Sequence, residues 1–385
     1  MLKAIVVPTN FISHNILICV SGLGMGGTER AAINLASWLH ETGHSVGILT
    51  LQSTHTDFYA CPIGVNRFSL NLSGKSSTIL SGLYANIQRA WAIRRNVRQF
   101  KADVLISLGD RTNVLVLLAS LGISGKKIIS ERCDPSVVPI GRGWGLARKL
   151  LYPCADIHVA QSQFAANWVS KHIPGLAQEV IGNAIRFSED TISYKRDHSV
   201  QSRGKIIRLL SVGRLTTEKG HAMILNAMAL IRHSCLISFE LIIAGDGPLR
   251  ESLEAQVVQL KLQAHVKFLG VVKDINSIYQ KSDLFILSSS YEGFPNTLIE
   301  AMAHGLPIIA TKCQGGVEDV LGVNNEDVAL LVPKDDTNAM ANAMKKLIEQ
   351  PVLRMRLGLT AQERSKDYSE NTIRSAWIRI ISKQN

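Results

Sequence analysis

The sequence predicts an α/β chain of two doubly wound parallel-sheet domains facing one another across a cleft. Three observations predict it. The 385 residues suffice for two domains, each burying its own core. Short β-branched apolar runs alternate with amphipathic stretches of helical period almost throughout, the pattern of parallel strands joined by crossover helices. That pattern restarts after residue 205, behind a polar segment.

In the first half, strands are expected at 16–20, 46–51, 104–108, 127–130 and 157–160, with helices such as 29–40 and 113–121 between them. In the second, they are expected at 207–212, 239–244, 266–269, 284–287, 307–310 and 329–332. Between them, 188–205 (SEDTISYKRDHSVQSRGK) has few apolar residues and reads as an exposed linker. The domains are therefore drawn as 1–187 and 206–366, followed by a C-terminal helical segment at 367–385. There Ile373, Trp377, Ile380 and Ile381 recur at helical spacing, and a return to the first domain is left open.

Composition narrows the class. With 46% apolar and 19% charged residues the chain folds rather than staying disordered. Its six cysteines never stand closer than 21 positions, so no paired spacing seeds a zinc or disulfide framework, and buried reduced thiols are expected. Pro8 and the polar pair Thr9-Asn10 break the N-terminal apolar run too early for a signal peptide, and no run reaches the ~18 residues of a membrane span. A cytoplasmic location is expected. The net charge of +11 is uneven, with 20 Lys+Arg against 12 Asp+Glu in residues 1–200 and 22 against 19 in the remainder. Such an excess suits nucleic acid, anionic lipid or a diphosphate ligand alike, and charge does not choose among them.

After the first strand comes Ser21-Gly22-Leu23-Gly24-Met25-Gly26-Gly27-Thr28-Glu29-Arg30, then a helix with Ala32, Leu35, Ala36 and Leu39 on one face. Glycines let backbone amides approach a phosphate at a helix N-terminus. Gly22, Gly24 and Gly27 fit the GxGxxG spacing of Rossmann dinucleotide enzymes, but the second strand runs out at Thr50-Leu51-Gln52-Ser53, without the carboxylate that would hold an adenosine ribose. A purely structural turn also fits.

The strand at 207–212 runs into Gly213-Arg214-Leu215-Thr216-Thr217-Glu218-Lys219-Gly220. Arg214 offers a fork of donors and Lys219 a point charge, at the strand end where open α/β sheets bind ligands; together they suit the charge of a departing diphosphate. Further on, Tyr291-Glu292-Gly293-Phe294-Pro295-Asn296 follows a strand, which places Glu292 in a loop and lets Asn296 cap a helix that carries Glu300. Seven residues lie between the two acids, at most roughly 12 Å if helical, comparable with the reach from sugar to ribose in a folded nucleotide sugar. Carboxylates suit both ends because they accept hydrogen bonds from vicinal hydroxyls.

The string EGFPNTLIEAMAHGLP, preceded by VGRLTTEKG, AGDGPLR and an N-terminal GMGGTER, resembles glycosyltransferase family 4, retaining enzymes whose GT-B fold pairs two Rossmann-like domains. The likeness covers nearly the whole chain. It implies that Arg214 and Lys219 hold the donor diphosphate, Glu300 the ribose and Glu292 the transferred hexose, while Gly293, Phe294, Pro295 and Asn296 border the sugar and phosphates. Gly26 and Gly27 would close on the diphosphate from the first, acceptor-binding domain. Asp246 sits in the family's turn at the cleft rim or merely caps a helix. Many relatives place a His after the strand at 127–130; here the chain continues Glu131-Arg132-Cys133-Asp134-Pro135, so that Glu131 or Arg132 contacts sugar or acceptor there, or forms a structural ion pair.

The resemblance implies transfer of a hexose or N-acetylhexosamine from a nucleotide sugar, a UDP sugar first of all, to a glycan or undecaprenyl-diphosphate-linked acceptor in surface-polysaccharide assembly. Retention without an evident nucleophile points to front-face substitution, and no DxD-like motif calls for a metal, so no cofactor is expected. Arg89, Arg94, Arg95, Arg98 and Lys101 beside Ala90, Ile93, Val97 and Phe100, with Arg142–Tyr152 as a second basic–aromatic segment, suit the inner membrane surface or are ordinary solvated faces. The alternatives are a GT-B sugar-nucleotide epimerase, which needs no acceptor, and a nucleic-acid-binding protein; for the latter no aromatic–basic recognition motif is present, and nucleic acid is not an expected partner.

Overall fold

The computed structural model of the chain describes residues 12–74, 78–137, 139–185, 206–322 and 325–383. The linker expected at 188–205 and the N-terminal run around Pro8 lie outside the described residues. The backbone divides into two compact units: one holds the described residues up to Asn183 and those from Ile373 on, the other those from Ala184 to Thr372.

In the first unit, β1 (Asn15–Val20), β2 (Ser45–Thr50), β3 (Asn66–Ser69), β4 (Val104–Leu108), β5 (Lys126–Ser130), β6 (Ile157–Ala160) and β7 (Gln178–Val180) form a sheet in the order β3-β2-β1-β4-β5-β6-β7. Every pairing is parallel. β4 is buried along its whole length, as expected for a strand covered on both faces. The helices α1 (Gly27–Glu41), α2 (Ile79–Phe100), α3 (Asp110–Ala119), α4 (Arg142–Leu151) and α5 (Gln163–His172) connect the strands. The inner faces of α1 and α2 bury Ala32, Leu35, Ala36 and Leu39, and Ala90, Ile93 and Val97 respectively. β3 and β7 have no counterpart in the expected strand set. Both lie at sheet edges and are half-exposed, and their sequences NRFS and QEV carry no apolar run.

The second unit contains β8 (Ile207–Val212), β9 (Phe239–Ala244), β10 (Val266–Gly270), β11 (Leu284–Leu287), β12 (Tyr291–Glu292), β13 (Ile308–Lys312), β14 (Gln314–Gly315) and β15 (Ala329–Pro333). Six of these make a parallel sheet in the order β10-β9-β8-β11-β13-β15, and β12 and β14 form a two-residue parallel ladder of their own. Its helices are α6 (His221–Ile231), α7 (Arg250–Gln259), α8 (Ile275–Lys281), α9 (Asn296–Ala303), α10 (Val317–Leu321), α11 (Thr337–Glu349) and α12 (Pro351–Ser365). One face of the sheet is closed by Ile224, Met228, Met340 and Met344, the other by Leu298, Met302, Val317 and Val320. In both sheets the strand order reverses beside the first strand, between β1 and β4 and between β8 and β11. Loops at such a reversal diverge and leave room for a ligand at the carboxyl ends of the strands.

The last helix, α13 (Glu370–Ser382), returns to the first unit from Ile373 on, burying Ile373, Trp377, Ile380 and Ile381. Arg374 Nη1 pairs with Glu41 at 2.9 Å, and Arg379 and Lys383 both reach Glu179 at 3.3 Å. All six cysteines are free, but only Cys19 and Cys313 are buried. The expectation of buried thiols fails for Cys133 and Cys154, which are exposed because they stand in the turns after β5 and before β6.

Trp377 is 3% exposed. Trp377→Ala should therefore lower unfolding free energy by about 3–5 kcal/mol; a denaturant titration followed by circular dichroism that shows no loss would contradict the packing described.

Candidate active site

At the reversal point of the second sheet, two loops are sewn together by backbone groups. The loop after β8 begins at Gly213, whose N–H donates to the Ala244 carbonyl (3.0 Å), and Leu215 N–H donates to the carbonyl of Asp246 (3.0 Å). Leu215 is fully buried and acts as the peg of the loop. A Cβ on Gly245 (φ +139°) would stand 1.9 Å from the Gly213 carbonyl oxygen, so the turn approaches this closely only because it carries glycine. Asp246 does not cap a helix: α7 starts at Arg250 behind Leu249, and Asp246 Oδ1 accepts from the neighbouring Gly247 N–H at 2.8 Å.

The same β8 loop is tied to the loop after β11. Ser290 N–H donates to the Glu218 carbonyl (2.8 Å) and the Ser288 hydroxyl to the Lys219 carbonyl (2.7 Å). These bonds aim Lys219 inward, where its Nζ stands 2.7 Å from Glu292 Oε1. The Ser289 hydroxyl donates to the same oxygen at 2.6 Å. Glu292 is 6% exposed. It lies in β12, not in the open loop that its glycine and proline neighbours imply, because Tyr291–Glu292 pairs with Gln314–Gly315 and the Glu292 carbonyl accepts from Gly316 N–H at 2.9 Å.

Lys219 and Glu292 are thus brought together. Arg214 is not drawn into their pair: its side chain is 78% exposed, with Nη2 3.7 Å from Glu218 Oε1, a contact of little energetic weight in water. Glu218 itself is held below the usual carboxylate range, chiefly by the Thr216 hydroxyl at 2.7 Å and then by the backbone and by Arg214 and Lys219. Burial, with Lys219 adding to it, pushes His221 at the start of α6 down to about 4, so that imidazole is neutral at physiological pH.

Glu300 lies in the second turn of α9. Asn296 is the first residue of that helix, preceded by Pro295, so the capping role expected of it is not realised. Phe294 meets Tyr368 edge-on at 5.8 Å, which anchors the Gly293–Asn296 stretch from outside. Glu300 Oε2 accepts from the Tyr279 hydroxyl of α8 at 3.0 Å.

In the first unit, the glycine loop follows β1. Gly26 precedes α1 in an extended conformation and Gly27 opens the helix. At the end of β2, Gln52 folds its amide against Gly22, where a side chain on residue 22 would collide with it. Beyond β5, Glu131 turns into the core. Its Oε1 accepts from the Tyr152 hydroxyl at 2.7 Å and pairs with Arg148 Nη2 at 3.0 Å. Burial raises its pKa to about 7, against the opposing pull of Arg148 and Tyr152. The structural ion pair of this segment therefore forms with Arg148. Arg132 makes no hydrogen bond or ion pair among the described residues, and its Nε and Nη1 are buried without a partner. Burial also lowers its pKa, to about 10.

The basic segments of the first unit are only partly solvated. Arg148 is buried, with the Trp168 ring 5.5 Å and the Tyr152 ring 5.8 Å from its guanidinium carbon. Arg94 Nη1 donates to the Ala119 and Leu121 carbonyls that end α3, and Arg89 to the Leu72 and Gly74 carbonyls. Arg94 thereby meets carbonyls left open at the end of α3, and Arg89 those of the loop after β3. Arg95, Arg98, Lys101, Arg142 and Lys149 remain exposed. Among the described residues, no three His, Cys, Asp or Glu side chains gather to hold a metal ion, and no helix is long and apolar enough to cross a membrane.

Residues 25–189 match the family model described as Glycosyltransferase Family 4, and residues 195–364 the model described as Glycosyl transferases group 1. The chain is a family 4 glycosyltransferase of GT-B fold. This glycosyltransferase is 28% identical over 363 residues to the Campylobacter jejuni GalNAc-alpha-(1->4)-GalNAc-alpha-(1->3)-diNAcBac-PP-undecaprenol alpha-1,4-N-acetyl-D-galactosaminyltransferase, covering 94% of this chain and 97% of that one. Its fold matches a solved glycosyltransferase from Rickettsia africae (TM-score 0.78, 19% identity, 96% and 98% of the two chains). It also matches Anabaena HepE in complex with UDP (TM-score 0.74, 20% identity, 95% and 99%).

Sequence reasoning passed over Ser289, Tyr279 and Gly315, and it placed Arg148 and Tyr152 in a basic–aromatic surface segment, whereas both are buried on Glu131. A run of three serines before Tyr291 is the one signal for Ser289. Nothing in the chain announces that Tyr279, far from Glu300 in sequence, ends on its carboxylate. Arg148→Met should destabilise the enzyme by about 3–5 kcal/mol through the unpaired Glu131 it leaves behind. Thermal unfolding measured beside an exposed-site variant, Lys149→Met, checks this, and equal effects would contradict the burial of Arg148.

Proposed function

We propose that this glycosyltransferase moves a hexose or N-acetylhexosamine from a UDP sugar, with retention and without a metal, to a lipid-linked glycan acceptor in bacterial surface-glycan assembly. The observation that carries the reading is the Lys219–Glu292 pair at the reversal point of the second sheet, 2.7 Å apart, with an exposed Arg214 on the same loop. The second unit binds the donor in this reading. Lys219 and Arg214 hold the diphosphate, the backbone of Gly293–Asn296 and the turn at Asp246 border it, Glu292 accepts from hydroxyls of the transferred sugar, and Glu300 accepts from the ribose. The first unit binds the acceptor, with Gly26 and Gly27 offering amides to phosphate.

Arg132, not Glu131, stands in for the missing imidazole, because the Glu131 carboxylate is committed to Arg148 and Tyr152 whereas the Arg132 guanidinium is uncommitted. In the transfer step, the acceptor oxygen bonds to the anomeric carbon as the bond to the β-phosphate oxygen breaks, on the same face. The acceptor proton passes to that phosphate, whose charge the cations stabilise. Retention of an α-linked donor yields an α-linkage, the linkage named for the Campylobacter relative.

The enzyme sits peripherally on the inner face of the cell membrane in this reading. Leu80, Leu83, Tyr84, Ile87 and Trp91 of α2 are all more than half exposed. At 100° per residue they fall within about a third of the helix circumference, with Arg98 continuing the stripe. An apolar stripe flanked by cations matches anionic headgroups over acyl chains.

Two measurements test the reading. Slow UDP release from one UDP sugar, unchanged by EDTA, is expected to fall by about two orders of magnitude in Arg214→Ala and Glu300→Gln; parent-like rates in both variants, or loss with EDTA and recovery with Mn²⁺, would overturn it. Co-sedimentation with vesicles of phosphatidylglycerol and phosphatidylethanolamine should drop in a Leu83→Ser/Trp91→Ser variant, and unchanged binding would remove the membrane assignment.

A further inference from the structure

Tyr279 stands on α8, wholly buried, with its ring in the core and its hydroxyl directed at α9. The hydroxyl lies 3.0 Å from Glu300 Oε2 and 3.3 Å from the Thr297 carbonyl oxygen. A phenol has one hydrogen to give, and a carboxylate is the stronger acceptor, so the bond to Glu300 takes it. On the other side of the ring, His304 stacks at 5.0 Å and 21°, and its Nδ1 is 2.7 Å from the Glu300 backbone carbonyl oxygen. Glu300 is therefore flanked at both its side chain and its backbone by one stacked pair of rings.

A phenylalanine would fill the same space. The buried hydroxyl costs free energy unless it is bonded, and the Glu300 carboxylate stands within its reach. Burial above all, and then the charge of Glu300, hold the phenol well above its ordinary range, so it stays a donor wherever the carboxylate is ionised. A glutamate in a helix otherwise samples several rotamers, and each hydrogen bond to a sugar hydroxyl needs one of them.

We infer that Tyr279 is a positioning residue for nucleotide recognition: its hydroxyl holds one oxygen of Glu300 so that the carboxylate meets the ribose hydroxyls of the donor in a single orientation. The inference rests on the reading of Glu300 as the ribose acceptor. It assigns to α8, which carries no motif, a part in selecting ribonucleotide over deoxyribonucleotide donors.

The test is calorimetric binding of UDP, 2′-deoxy-UDP and 3′-deoxy-UDP to the full chain and to Glu300→Gln and Tyr279→Phe. In the parent, loss of a ribose hydroxyl bonded to a carboxylate should weaken binding by on the order of tenfold or more. Glu300→Gln should abolish most of that penalty. Tyr279→Phe should reduce it to less than about threefold while leaving the affinity for the deoxy nucleotide, and the unfolding midpoint with nucleotide absent, close to the parent values. A purely structural role would weaken UDP and both deoxy nucleotides by one common factor. If Glu300→Gln loses the penalty and Tyr279→Phe keeps it in full, Tyr279 does not position the acid and the inference fails alone. If Glu300→Gln keeps the penalty as well, the ribose reading falls and takes the inference with it.

Discussion

A lysine ammonium and a glutamate carboxylate, 2.7 Å apart and largely withdrawn from water at the carboxyl edge of one sheet, constrain everything around them. Two charges in such a place are tolerated only when the geometry is good and the remaining lone pairs are met. The chain meets that demand locally. Ser289 supplies a second donor to Glu292, Ser288 fixes the Lys219 carbonyl, and Ser290 fixes Glu218. Gly220 (φ +66°) and Gly315 (φ +112°) let backbone pass where a Cβ would stand 2.2 Å from the Ser288 oxygen and 1.9 Å from the Glu292 oxygen. The glycines and serines of this region are therefore consequences of one buried pair rather than separate features.

The pair also connects fold to chemistry. It sits where the strand order reverses, so the loops after β8 and β11 diverge and leave the carboxyl ends of the strands accessible. A lysine already matched to a carboxylate is held in place without being exposed, and under the proposed reaction a diphosphate offers it a second anion. Arg214 faces solvent, so the two cations differ: one is preset against a carboxylate, the other is exposed.

The lobes, the strands with continuous apolar runs and the motif-bearing loops were legible in the sequence, because parallel strands covered on both faces leave long apolar signatures and family 4 motifs have fixed spacing. What stayed illegible depends on contacts far apart in the chain. β3 and β7 are edge strands with ordinary polar sequences. The ladder between β12 and β14 joins residues 23 positions apart, and so Glu292 looks like a loop residue until Gln314–Gly315 is laid beside it. The row of arginines on α2 and α4 reads as one basic surface, yet Arg148 is buried on Glu131 and Arg94 closes the end of α3, while α2 exposes an apolar stripe beside Arg95 and Arg98. Charge type is visible in a sequence; whether a cation meets water or a carbonyl is not.

The account stands most directly on whether Lys219 and Glu292 act as one unit. A double-mutant cycle of Lys219→Met and Glu292→Gln, read as the rate of UDP release from the preferred UDP sugar, measures it. If the pair is a unit, the double variant should be no slower than the slower single variant, within about threefold, because each single change already leaves the partner uncompensated. Losses that multiply, so that the double variant is slowed by the product of the two single effects, would contradict the account and make the two residues independent contributors.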